Sequence, residues 1–503
     1  MAATNLPKQE VEQQLTEDQK LEQDEDKREL EVHMSQLGHT TVAHNDHDIS
    51  NTPLFNKAMQ KKHPELFTQY GLLASDSNKI ASNSGPDVLP GSDQDPRIFF
   101  NIQSPSSAFI CGSQGSGKSY TLSCLLENCL MKSNQSKLET PLAALVCHYD
   151  SFISDEGGSP CEAAYLASGA GIEVKVLCSP ANLQAMKETY KSITGIKVEK
   201  FLIDQKDLNT ERMLMLMGVG ADTVPLPLYL QKIMQLLRED RIARQRSKMP
   251  FDYAKFKTKI DRFAKTNGQI APLAQRLDLL KSCLAINAGK DAGANWNLQP
   301  GTLTIVDLSC PCVTSASACA FFSIGISLCL EKRDKKVGSI IALDEAHKYL
   351  TSTDDADKLT DTLLCSVRMQ RHLGTRVFIS TQEPTVSTAL LSLCTITIVH
   401  RFSSPAWLQV LKSHLAGIDT SQRQDNGEKM KQDVFKEIVN LRTGEALCFA
   451  PTAMVGGGKE VEETLGAKYL KIKIRKRLTK DGGESVQALA IRSAGSNVTD
   501  RGD

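Results

Sequence analysis

At 503 residues the chain has room for about three domains of ordinary size, or one large domain with tails. Hydrophobic residues make up 41% and charged residues 23%, which excludes collagen-like, wholly disordered and disulfide-scaffold classes. Lys plus Arg and Asp plus Glu each number 59, so the net charge is zero, a balance that argues against a uniformly basic nucleic-acid binder.

That zero is a cancellation. Residues 1–50 hold four basic and twelve acidic side chains, a local charge of −8, and the remainder of the chain carries +8. The Gln- and Glu-rich start has too few large apolar residues to offset its ordering entropy, so residues 1–96 are expected to be an acidic disordered tail and linker, with a short docked helix within 53–73. It lacks a basic region followed by an apolar core, so no secretory signal is read there. Fourteen cysteines are too dilute for a disulfide framework, and Cys111, Cys147 and Cys448 sit in apolar runs. The expectation is buried, reduced thiols in an intracellular protein of the cytoplasm or nucleus.

From residue 97 short apolar runs alternate with helical stretches, the mark of a parallel sheet covered by helices on both faces. The expected strands are 108–111, 143–147, 174–178, 200–203, 303–308, 339–344, 376–380, 395–400 and 446–450. Residues 97–206 form the first part of this core and 296–455 the second. Between them, 207–295 reads as an all-helical insertion with apolar residues at three- and four-residue intervals. Residues 309–330 carry no charge, and flanking strands make a buried core helix the expected reading rather than a membrane span. Residues 456–503 are expected to be a basic segment and a polar tail.

The strongest motif is Gly112-Ser113-Gln114-Gly115-Ser116-Gly117-Lys118-Ser119, which satisfies G-x-x-x-x-G-K-S. An apolar strand precedes it and a helical pattern beginning at Tyr120 follows, as a phosphate-binding loop requires. Its glycines let backbone N–H groups turn inward onto phosphate oxygens at the positive end of a helix. Lys118 is suited to the β and γ phosphates, and the Ser119 hydroxyl to Mg²⁺. Residues 112–120 are therefore expected to bind nucleotide.

Asp344 and Glu345 end the run Ser339–Leu343. Asp344 suits the Mg²⁺ site, and Glu345, one residue on, suits polarising a water for attack on the γ phosphate. Gln382 ends the run 376–380 at a strand tip, where a neutral amide can hold that water without adding charge. Asp344-Glu345-Ala346-His347 also spells the helicase tetrapeptide DEAH. Ser380-Thr381-Gln382 and the absence of a late Gln-Arg-Gly-Arg argue against that reading, leaving His347 to packing or orientation.

Together the phosphate loop, residues 303–309, the 343–347 carboxylates and 380–384 resemble the HerA/FtsK superfamily of P-loop ATPases over about residues 97–451. The resemblance implies a RecA-like three-layer α/β sandwich, Mg²⁺-dependent ATP hydrolysis, ring-shaped homo-oligomers and ATP-driven movement of DNA or protein. It implies catalytic roles for Lys118, Glu345 and Gln382, metal roles for Ser119 and Asp344, and an arginine reaching a neighbour's γ phosphate, for which Arg368, Arg371 and Arg401 are candidates. No β-barrel module precedes the loop, no winged helix follows the core, and no membrane helix is read. Two further readings stay open: a P-loop kinase for a small molecule, and a nucleotide-gated protein-binding scaffold. Clustered charge in 230–265, eleven basic against four acidic residues, and in 468–480, seven basic and none acidic, marks candidate DNA-binding surface. Solvated helix faces and a lysine-guarded edge strand are the competing readings.

Overall fold

The computed structural model describes residues 46–482 except 83–93, 155–156, 217–227, 248, 250, 268–276, 279–280, 286–292, 416–417, 419–433 and 456–461, together with 27–28, 30 and 32–33. The chain divides into two compact units, Met1–Asp48 and Ile49–Asp503. In the first, the described residues 27–28, 30 and 32–33 are helical. Most of the expected acidic tail, the polar end after 482 and much of the helix expected around 273–284 lie outside the described residues.

The second unit is built on one 14-stranded sheet. Its strands are β1 (Leu54–Asn56), β2 (Tyr70–Asp76), β3 (Arg97–Asn101), β4 (Ser107–Cys111), β5 (Ser136–Lys137), β6 (Ala143–His148), β7 (Glu173–Cys178) and β8 (Ile196–Lys200). After a separate two-stranded pair, β9 (Ile203–Asp204) and β10 (Leu284–Ala285), come β11 (Thr302–Asp307), β12 (Ser339–Leu343), β13 (Thr375–Thr381), β14 (Ile396–Val399), β15 (Glu445–Phe449) and β16 (Leu470–Ile474). The order across the sheet is β1-β3-β2-β16-β15-β14-β4-β13-β12-β6-β11-β7-β8, with β5 on β2. From β14 to β8 all neighbours are parallel, and from β1 to β14 they are antiparallel.

The central parallel strands β4, β6, β12, β13 and β14 are buried at every position because both faces are covered. Along β4, Phe109 and Cys111 enter one core, while Ala108 and Ile110 enter the other. One face carries the long helices Ser315–Lys332 and Asp354–Arg368 and the inserted helical region. The other carries α1 (Lys118–Leu130), the helix that starts at the phosphate loop. This three-layer arrangement is that of a RecA-like P-loop NTPase.

The insertion contains the helices Thr210–Leu216, Leu228–Ser247 and Tyr253–Asn267. Ile233, Leu236, Leu237, Phe256 and Ile260 turn inward, which leaves Arg238, Arg241 and Lys259 exposed on the outer faces. Ser315–Lys332 is, among the described residues, the helix long and apolar enough to span a membrane. It packs Phe321, Phe322, Ile324 and Ile326 into the core, and Phe201 stacks edge-on against both Trp296 and Phe321.

Three sequence expectations differ from the structure. Residues 54–76 supply β1 and β2 as well as the short helix Lys57–Lys62, which buries Met59, so the stretch is part of the sheet rather than of a tail. A three-residue strand and a bulged one give no readable alternation. The strand expected at 200–203 is split between the end of β8, where Ile196 and Val198 alternate with exposed Lys197 and Glu199, and the short β9 at Ile203–Asp204. Leu470–Ile474 is no edge strand: β16 is paired on both sides, by β15 and β2.

Candidate nucleotide and cation site

Strand register assembles the site. Leu343 on β12 pairs with Ile379 on β13, which pairs with Phe109 on β4, so the tips of these three neighbouring strands align. One or two residues beyond lie Gly112, Gln382, Asp344 and Glu345. On the other side Leu343 pairs with Cys147 of β6, which sets His148 beside Asp344, and His148 pairs with Asp307 of β11. Ligand crevices in parallel sheets form at such carboxyl ends.

The phosphate loop closes against the end of β14. Ser113 donates from both its N–H and its Oγ to the Arg401 carbonyl, each at 2.8 Å, and Ser116 Oγ donates to the Ser113 carbonyl at 2.7 Å. Gly117 has φ +108° and is the N-cap of α1 with no side-chain cap, so the first helical N–H groups are free to meet an anion. A Cβ on Gly112, at φ +151°, would sit 2.7 Å from His400 Cβ. His400 itself is fully buried, with Nδ1 donating to the Glu445 carbonyl at 3.0 Å and Nε2 2.9 Å from Thr121 Oγ1. Burial, opposed by the Glu445 hydrogen bond and helped by Lys118, lowers its pKa to about 4.

Lys118 is buried and donates to the Ser113 carbonyl at 3.1 Å. Burial lowers its pKa, against which Glu345 and Asp344 act. Burial alone would push the Asp344 carboxyl up, but neighbouring His148 brings it below the ordinary carboxylate range. Asp344 Oδ2 lies 3.4 Å from His148 Nδ1 and accepts from Cys161 Sγ at 3.8 Å, whereas buried Oδ1 has no partner.

Glu345 is the one non-glycine described residue with positive φ, at φ 49° and ψ 43°, a left-handed position that costs energy unless surroundings hold it. Its Oε2 accepts from Gln382 Nε2 at 3.3 Å and lies 3.4 Å from His347 Nδ1. The Gln382 N–H in turn points at His347 Nδ1 over 3.4 Å. Burial lowers the His347 pKa, opposed by Glu345, so the ring is neutral near pH 7 and can accept there. His347 thus holds the Gln382 backbone beside Glu345.

These groups open on a cleft of about 490 Å³ lined by Gln114, Gly115, Gly117, Lys118, Ser119, Tyr120, Asp344 and Glu345 from the expected set. A nucleotide fits the free helix terminus and Lys118. Mg²⁺ fits the Ser119 hydroxyl and the Asp344 carboxylate, hard donors on two residues that line the same cleft.

The arginine candidates are not gathered here. Arg368 and Arg371 are exposed and precede the N-terminal end of β13, whereas Gln382 follows its C-terminal end. Arg401 is exposed, with its carbonyl bound to the loop of its own chain.

The cleft also contains His148, Asp150, Glu162, Lys348, Thr443 and Asp481, which sequence reasoning did not single out. His148 and Asp150 follow the strand 143–147, and the strand-end rule that selected Asp344 would have found them. Lys348 donates to Asp150 Oδ2 at 2.8 Å. Glu162 and Asp481 had no local signal, because they reach the cleft through Arg477, which pairs with both and lies 5.9 Å over the Tyr120 ring. Arg475 and Arg477, part of the candidate DNA-binding segment, are turned inward instead. Both pair with buried Glu127 of α1, Arg475 at 2.7 Å and Arg477 at 3.9 Å.

No protein-family model matches the chain, and no curated protein matches it. Solved structures do. VirB4 of Thermoanaerobacter pseudethanolicus is 13% identical over 81% of this chain and 96% of its own, with a TM-score of 0.44. The genome packaging NTPase B204 of Sulfolobus turreted icosahedral virus 2, in complex with sulfate, is 9% identical over 75% of this chain and 98% of its own, with a TM-score of 0.29. The cytoplasmic domain of the Thermomonospora curvata type VII secretion ATPase EccC is 11% identical over 83% of this chain and 29% of its own, with a TM-score of 0.29.

Proposed function

We propose that the chain is a Mg²⁺-dependent ATPase, working as a homo-oligomeric motor of the HerA/FtsK kind on DNA inside the cell. The observation that carries the hydrolytic part is the convergence of Lys118, Asp344 and Glu345 on one cleft, with Gln382 hydrogen-bonded to Glu345. The free N–H groups of α1 and Lys118 would hold the β and γ phosphates, and Ser119 with Asp344 would hold Mg²⁺, which adds charge neutralisation when bound. Glu345 would take the proton of a water that Gln382 helps to place, and His347 would hold the Gln382 backbone in position. Either Arg401 or the Arg368/Arg371 pair would reach a neighbouring subunit's phosphates.

For DNA, support comes from the +8 charge beyond residue 50 and from Arg238, Arg241 and Lys259 on the outer faces of the insertion. Free thiols throughout the buried sheet suit a reducing compartment. The test is steady-state phosphate release with and without double-stranded DNA, at rising salt. Stimulation that fades with salt, and weakens in Arg238→Glu/Arg241→Glu, is the expected result; turnover indifferent to DNA contradicts the DNA part of the reading.

A further inference from the structure

Among the described residues, one group of His, Cys and acidic side chains brings its ligand atoms together: His148, Cys161 and Asp344, mutually within 4.8 Å. All three are buried; Asp344 Oδ1 lacks a hydrogen-bond partner, and His148 Nδ1 makes no well-formed hydrogen bond, its ion-pair contact with Asp344 Oδ2 being long at 3.4 Å. Buried polar atoms normally find partners, so unsatisfied atoms at one spot point to a missing one. We propose that His148, Cys161 and Asp344 form a site for a borderline-soft divalent cation of the Zn²⁺ class, which regulates the cleft by occupying Asp344.

The donor set is a thiol, an imidazole and a carboxylate, the mixture that suits Zn²⁺ rather than Mg²⁺. With Zn–S of about 2.3 Å and Zn–N and Zn–O of about 2.0 Å, tetrahedral geometry sets S···O near roughly 3.5 Å and N···O near roughly 3.3 Å. The observed separations are 3.8 Å for Cys161 Sγ to Asp344 Oδ2 and 3.4 Å for His148 Nδ1 to the same oxygen. Small side-chain shifts close the cage.

The ligands are supported from behind. The Cys161 N–H donates to Tyr190 Oη at 3.0 Å, Tyr190 Oη donates to Asp307 Oδ2 at 2.5 Å, and Asp307 Oδ1 accepts from the Ser309 N–H at 3.0 Å. Such outer contacts orient metal ligands. His148 and Asp344 also line the open cleft, which gives a cation its entry path and leaves a fourth position for water. Coordination releases the thiol proton to solvent. The regulatory consequence rests on the ATPase reading: a second cation drawing on Asp344 competes with Mg²⁺ for that carboxylate and lowers turnover.

The test begins with the full chain, stripped with EDTA, desalted and titrated anaerobically with Co²⁺ alone. One equivalent should give a thiolate-to-cobalt charge-transfer band and tetrahedral visible bands, displaced by Zn²⁺. Cys161→Ala should abolish the thiolate band, His148→Gln should weaken binding about tenfold or more, and Cys312→Ala should change neither. A spectrum without a thiolate band, or one that survives Cys161→Ala, overturns the site. In phosphate-release assays with Mg²⁺ in excess, Zn²⁺ should inhibit, with half-inhibition shifted about tenfold or more upward in His148→Gln; inhibition unchanged by that substitution overturns the regulatory role. The expected cobalt spectrum in a protein that hydrolyses no ATP upholds the cation site and counts against the ATPase reading instead.

Discussion

Gln382 Nε2 donates to Glu345 Oε2 over 3.3 Å, joining the tips of two adjacent strands where Glu345 lines the nucleotide cleft. The contact exists because β13 lies between β4 and β12, so the amide it carries stands between the phosphate loop and the paired carboxylates. Placed there, Gln382 can share a water with Glu345 without adding charge. Gln382→Ala should lower kcat about a hundredfold with little change in KM, and steady-state kinetics read both. A change confined to KM would mean that Gln382 only helps hold the nucleotide.

Gly117 shows how tightly the loop is built. At φ +108° any side chain is strained, and a Cβ would lie 3.2 Å from the Gly444 N. Gly117→Ala should weaken binding of a non-hydrolysable ATP analogue at least tenfold, measured by calorimetry, as the loop gives way against Gly444. Wild-type affinity would show that the loop reshapes freely.

Glu127 ties the last described strand to the nucleotide helix. Its buried carboxylate accepts from Arg475 Nη1 at 2.7 Å, from the Thr479 N–H at 2.9 Å and from Thr479 Oγ1 at 2.6 Å. Removing one partner of a buried pair leaves the other charge uncompensated, so Glu127→Ala should cost about 3–5 kcal/mol in urea unfolding. Lys473→Ala, on the exposed side of β16, should cost less than about 0.5 kcal/mol.

His400 makes stability depend on acid. Its folded pKa is about 4, below its ordinary value of 6.5, so between those values the unfolded chain binds a proton that the folded chain refuses. The contribution is full above pH 6.5 and lost as pH falls toward 4, a loss of about 3 kcal/mol. The stability of wild type relative to His400→Gln should therefore shrink over that window. A difference that stays constant from pH 7 to pH 4 would place the acid sensitivity elsewhere.

Much of this was legible in the chain. The loop 112–119 and Asp344, Glu345 and Gln382 were readable because each follows a continuous apolar run that only a doubly covered strand requires, and strand tips are where ligands bind. The antiparallel flank was hidden. β1 is three residues long, β2 carries a bulge, and both are held by pairing with segments up to 400 residues away, which no local period records. The basic run at 468–480 misled for a related reason. Composition counts Arg475 and Arg477 as surface charge, but their partner Glu127 is nearly 350 residues earlier, and only the fold brings them together.

The central claim is that water is activated at Glu345. The direct measurement is steady-state phosphate release by Glu345→Gln, alongside its affinity for ATP. Turnover should fall by about 10²–10⁴ while ATP binding persists, because the substitution keeps the shape and removes the base. Wild-type turnover in Glu345→Gln would contradict it.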